Sequence, residues 1–185
     1  MKSAYILSVI LIMFVWGMAM AENKEKAEAD FASEAPAELK QFAFWLGEWE
    51  FTHSFRKKDG TSGESTGRNT ISVTFDGWGL LEDFTTGIPG RPYHGGSITI
   101  YNKNTNEFSQ SWADSNGFVM TFVGKWQDNQ MVLYSPELEQ NGKKYQTRLV
   151  WKNIKKDTMD WSYERSDDNG KTWKSQWDIS YRRVK

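Results

Sequence analysis

Gly47-Glu48-Trp49-Glu50-Phe51-Thr52-His53-Ser54-Phe55-Arg56 is the stretch whose reading decides the fold. Trp49, Phe51, His53 and Phe55 share one parity, and Glu48, Glu50, Thr52, Ser54 and Arg56 share the other. Successive side chains of an extended chain point to opposite faces, so this run predicts a strand with one covered and one solvated face. The C-terminal end repeats the pattern, with Trp173, Trp177, Ile179 and Tyr181 opposite Lys174, Gln176, Asp178 and Ser180. Residues 158–165 set Met159, Trp161 and Tyr163 against Asp160, Ser162 and Glu164.

Turn signals separate these runs at short intervals: Asp59-Gly60, Asp76-Gly77, Asn102 to Asn106, Asn116-Gly117, Asp128-Asn129, Asn141-Gly142 and Asn169-Gly170. Asn-Gly and Asp-Gly supply the positive φ angles of tight hairpins. About ten strands lie between them, at 47–56, 65–75, 78–86, 97–102, 107–113, 118–126, 130–135, 144–153, 158–165 and 172–183. Spacers this short make each strand antiparallel to the one before, because a parallel crossover needs a dozen or more residues. The expected fold is all-β, an antiparallel up-and-down barrel, since closure removes the exposed edges of so long a meander.

Leu39, Phe42, Ala43 and Leu46 recur at helical spacing after Pro36, which predicts a short N-terminal helix capping the barrel. Strand 118–126 is apolar on both faces and so is expected to be covered from outside, by that helix. The loop Gly87-Ile88-Pro89-Gly90-Arg91-Pro92-Tyr93-His94-Gly95-Gly96 reads as the longest in the barrel, a rim or lid.

Upstream, Lys2, the apolar run Ala4 to Met18 and Ala19-Met20-Ala21 have the form of a cleaved signal peptide, residues 1–21. That run is shorter than the ~20 apolar residues that span a bilayer. Residues 22–36 read as a charged flexible segment and 37–185 as the barrel domain. The mature chain is expected to be exported, periplasmic or extracellular, with no membrane association after cleavage. It contains no cysteine, so a packed core replaces disulfides. Without Lys2 the charge is 22 basic against 24 acidic side chains, which is no footprint for nucleic acid.

A handful of polar residues fall on the apolar parity: His53, Asn69, Glu82, Gln110, Tyr163, Arg165 and Arg183. Buried charge is costly unless it is paired or faces a cavity, and Glu82 stands in mid-strand. Three readings fit: a polar anchor in a ligand cavity with Arg165 or His53 beside it, an internal Glu-Arg pair, or a one-residue slip in the strand parity. The first predicts a site for a small apolar or amphipathic ligand, with Trp49, Trp78, Trp112, Trp161 and Trp177 as walls and Glu82, His53 and Arg165 at its polar end. An enzyme using Glu82 or His53 as general base is the alternative, and a structural or protein-interaction barrel filled by tryptophan is another. His53 and His94 are the only histidines, too few for a metal centre, and no phosphate-cradling glycine pattern precedes a helix. No cofactor is expected.

Ser166-Asp167-Asp168-Asn169-Gly170-Lys171-Thr172-Trp173 resembles the Asp box of sialidases and other β-propellers, a hairpin-stabilising turn. Phe42 to Trp49, ending Gly47-Glu48-Trp49, resembles the opening of calycin-type barrels. In lipocalins that Trp packs under an Arg of the last strand, which implies a partner for Trp49 in Arg182 or Arg183. From about 38 to 183 the chain looks like a family of small bacterial proteins of unknown function. That likeness rests on Ser97 to Tyr101, Phe108 to Gly117, Glu164 to Trp173 and Tyr181-Arg182-Arg183. Nitrobindin-like haem barrels are similar in shape, but the chain lacks their Gly-x-Trp-x-Gly-x-Gly opening and any histidine after His94.

Overall fold

The computed structural model describes residues 31–56, 60–88 and 90–184, with the side chains of 54–56, 62 and 88 excepted. The signal-peptide and most of the charged-segment expectations, the Asp59-Gly60 turn and the facing of Phe55 therefore lie outside the described residues. A 3-10 helix, Ala37–Trp45, leads into β1 (Gly47–Arg56). Then follow β2 (Ser62–Thr74), β3 (Gly79–Ile88), β4 (Arg91–Asn102), β5 (Glu107–Asp114) and β6 (Val119–Gln127). The chain ends with β7 (Gln130–Tyr134), β8 (Leu138–Gln140), β9 (Lys143–Lys152), β10 (Thr158–Ser166) and β11 (Lys174–Arg183).

Every pairing is antiparallel, and the order closes on itself. β1 pairs with both β2 and β11, β11 with β10, and β10 with β9. The result is a ten-stranded up-and-down barrel with β8 outside the closed circuit. β8 continues the β7 edge of β9 after an irregularity at Ser135-Pro136, shifting the register from Tyr134↔Arg148 to Leu138↔Tyr145. Proline has no N–H for a ladder, so a bulge is its natural place in a strand. Ser135 Oγ accepts from the Thr147 amide there and holds the break closed. The turns use the predicted chemistry: Asn141 and Gly142 have φ of 54° and 73°, and Asn169 and Gly170 of 58° and 79°.

The helix does not cover β6 from outside. Leu39, Phe42 and Trp45 turn into the barrel and are fully buried, so the helix plugs one end. Phe42 meets Phe108 and Trp151 edge-on, at 4.9 and 5.4 Å between centroids. On β6 only Phe44 reaches over, to Trp126, and Val119 remains 70% exposed. The segment before the helix is docked as well: Phe31 is buried, and the Ala32 amide donates to Gly77 O. The expected rim loop at 87–96 is also mostly strand. Thr85 to Ile88 continue the ladder against Arg91 to His94. The glycines and prolines misled because they sit on a narrow two-stranded extension rather than in a loop.

Arg183 locks the ends of the chain together. Its guanidinium lies 4.1 Å over the Trp49 ring and donates to Phe44 O and Leu46 O, carbonyls that the helix end leaves without partners. Trp49 Nε1 donates to Trp45 O at 2.8 Å. Of the two arginines left open by the sequence, Arg183 is the one above Trp49.

Candidate functional site

Inside the barrel, above the plug, is a cavity of about 290 Å³. The tryptophans do not fill the centre. Its walls include the indoles of Trp45, Trp112, Trp151, Trp161 and Trp177, the rings of Phe84, Phe122, Tyr93 and Tyr181, and the polar groups of Glu82, Gln110 and Asp114. Adjacent rings meet near right angles: Trp161 on Trp177 at 5.9 Å, and Phe84 on Trp177 at 5.7 Å. Gly95 makes room for one wall, because a Cβ there would come within 2.2 Å of the Trp112 ring.

Glu82 lies in mid-β3, opposite Ile71 on β2 and Ser97 on β4. Its side chain is buried, with Oε1 accepting from Asn69 Nδ2 at 2.8 Å and Oε2 from Ser97 Oγ at 2.6 Å. Burial raises its pKa to about 7, against the two hydrogen bonds, which favour the anion. Asn69 also donates weakly to Tyr181 Oη at 3.4 Å, and its own Oδ1 has no hydrogen-bond partner.

Asp114 closes β5 at the rim. Its Oδ2 accepts from Tyr93 Oη at 2.8 Å and Trp112 Nε1 at 3.4 Å. Its Oδ1 takes the Asn116 and Phe118 amides of the turn. Partial burial opposes its charge, but these donors hold its pKa below the usual range. Burial and the facing carboxylate push the Tyr93 phenol up.

The structure brings Glu82, Trp112, Trp161 and Trp177 to the cavity and takes four other expected residues elsewhere. Trp78 is a correction: it follows the Phe75–Gly77 turn, is 44% exposed and lies on the outside near Lys103. Phe75 and Asp76 have positive φ, which breaks the parity that had placed Trp78 inward. Arg165 is a second correction. It keeps the parity of Trp161 and Tyr163, opposite Thr147 on β9, but stands at the end of β10 outside the cavity lining, where it pairs with Asp167 at 2.7 Å and stacks on Tyr145. Trp49 packs in the closed end beneath Arg183. His53 lies beyond the cavity wall, against Trp177 and hydrogen-bonded to Thr86 Oγ1 at 2.9 Å. Thr86 stands four residues along β3 from Glu82, roughly 13 Å of extended chain.

Trp45, Trp151 and Asp114 were missed as site residues. Trp45 carried only a helix signal, and Trp151 lies in a run, Leu149-Val150-Trp151, that is apolar on both parities. Asp114 looked like an ordinary turn residue. Among the described residues no group of three or more His, Cys, Asp or Glu is placed to hold a metal ion.

The sequence from 34 to 183 matches the model of DUF1579, a protein family of unknown function. The chain belongs to the DUF1579 family. No curated protein matches it significantly. Among solved structures, the DUF1579 chain is similar to Rv2717c from M. tuberculosis at 12% identity and a TM-score of 0.56, covering 82% of this chain and 100% of that one. At that identity the likeness concerns the barrel fold alone. It is also similar to a de novo designed fluorescence-activating β-barrel, at 16% identity and a TM-score of 0.39, over 76% of this chain and 94% of the other. In the DUF1579 barrel the Asp-box-like segment is a turn device. Asp168 accepts from Ser166 Oγ, the Thr172 amide and Thr172 Oγ1, and these bonds lower its pKa to about 2.

Proposed function

We propose that this DUF1579 barrel is an exported small-molecule binding protein whose cavity takes a partly apolar ligand and fixes its polar end at Glu82. One observation carries the reading: a single space of about 290 Å³ is walled by aromatic rings and holds a buried carboxylate. Ligand pockets are typically of this kind, mostly apolar with a few convergent polar groups, whereas cores pack without such voids. Export rests on the Lys2 to Ala21 pattern. The test is native mass spectrometry of mature protein taken gently from the exported fraction. An added mass of a few hundred daltons, lost on denaturation, is expected. Its yield should fall in Gly95→Ala, where the new methyl displaces the Trp112 wall. A clean apo mass, with no binding of small aromatic probes, would overturn the reading.

The pKa of Glu82 favours a second reading, a general acid–base residue poised near neutrality. In that case Glu82→Gln would abolish turnover of the bound molecule while leaving its binding intact.

A further inference from the structure

The polar end of the cavity has a definite sign. We propose that the ligand is a cation, a quaternary or protonated amine carried on an apolar body, held by the tryptophan faces and paired with the Glu82 carboxylate. This rests on the binding reading above and adds the chemical class.

Three observations carry it. Among the described residues, the cavity lining includes two carboxylates, Glu82 and Asp114, and no Lys, Arg or His. A ligand carboxylate or phosphate would meet like charge in a poorly solvated space. The same lining contributes five indoles, whose negative ring faces attract cations, and aromatic cages are a general solution for quaternary ammonium groups. The third observation is a contrast within the chain. Its other buried carboxylate, Glu164, is matched by Arg148 at 2.6 Å and Lys152 at 3.7 Å. Among the described residues Glu82 is given only the neutral donors Asn69 and Ser97, one to each oxygen, so each oxygen keeps a lone pair for a further partner. Arg165, the cation the sequence offered to it, is committed to Asp167.

The groups facing Glu82 leave its titration readable. β2 presents Asn69 and Ile71, and β4 presents Ser97 and Tyr93. β11 presents Tyr181, and Asp114 on β5 completes the set. Both phenols are raised and Asp114 is lowered, so Glu82 alone among them changes charge near pH 7.

The test titrates the mature protein with benzyltrimethylammonium, benzyl alcohol and benzoate, following tryptophan fluorescence and heat. The cavity exceeds the ~150 Å³ that accommodates benzene. At pH 8 the cation is expected to bind at least about tenfold more tightly than benzyl alcohol, with benzoate weakest. The probe's charge does not titrate, so its affinity should fall about tenfold per pH unit below 7 as Glu82 takes up a proton. Glu82→Gln should lose both the preference and the pH dependence while still binding benzyl alcohol. Equal or tighter binding of benzyl alcohol or benzoate at pH 8, or affinity for the cation that rises as the pH falls, would overturn the cationic class and leave the binding reading standing. Binding of none of the three by the wild-type chain would overturn both.

Discussion

Glu82 is more costly to the fold as an anion than as an acid. Its folded pKa of about 7 exceeds the ordinary 4.5, so the folded chain holds this proton more tightly than the unfolded one. The stability that results is fully present below pH 4.5 and is lost as the pH rises to about 7, on the order of 3 kcal/mol in all. Glu82→Gln keeps the side chain's shape and removes the titration. Urea unfolding at pH 5 and pH 8 should therefore show the wild type losing stability relative to the variant between the two. Parallel changes in both proteins would mean that Glu82 is charged throughout. The sequence made this residue legible because a charge on the apolar parity of a mid-strand position has no local outlet. It misread Trp78 because parity counts only within an unbroken strand. The left-handed turn at Phe75-Asp76 resets the count, whereas Arg165 keeps its parity but sits at the strand end, outside the cavity lining.

At the level of elements, most strands were legible nearly to their ends because the alternation and the Asn-Gly turns agree with one another, but β4 begins six residues before its expected start and β8 was missed. The helix was legible as a helix but not as a plug. Its apolar stripe states that something is covered, and only the closed barrel supplies an opening of the right width. Phe42 is the centre of that plug, in contact with Phe44, Trp45, Phe108 and Trp151. Truncating a fully buried phenylalanine costs about 3–5 kcal/mol. Phe42→Ala should lower the urea midpoint accordingly and loosen Trp45 and Trp151, the two cavity walls it supports. A change below about 1 kcal/mol would show that the helix merely rests on the barrel. Gly95 shapes a different wall of the cavity, the Trp112 ring. Its missing Cβ is a packing requirement that no turn signal announces.

For the whole molecule, closure is the property least visible in any local pattern. Pairing of β1 with β11 joins Trp49 to Arg183 across nearly the full chain. The sequence implied it only through the long meander that would otherwise end in two bare edges. Deleting residues 174–185 removes β11 and Arg183 together. It leaves β1 and β10 each short of a partner and the helix carbonyls without their guanidinium. The shortened chain should show no cooperative thermal transition and no near-ultraviolet aromatic circular dichroism. A sharp transition in it would mean that an open sheet suffices.

Because β1 finds its neighbour only when β11 arrives, order in space becomes order in time. A ribosome makes Gly47 136 residues before it makes Arg183. Until then the first strand has one free side, the helix lacks its clasp and the interior stays open to water. The chain therefore stays open throughout its synthesis, and the barrel can shut only after its last strand has emerged.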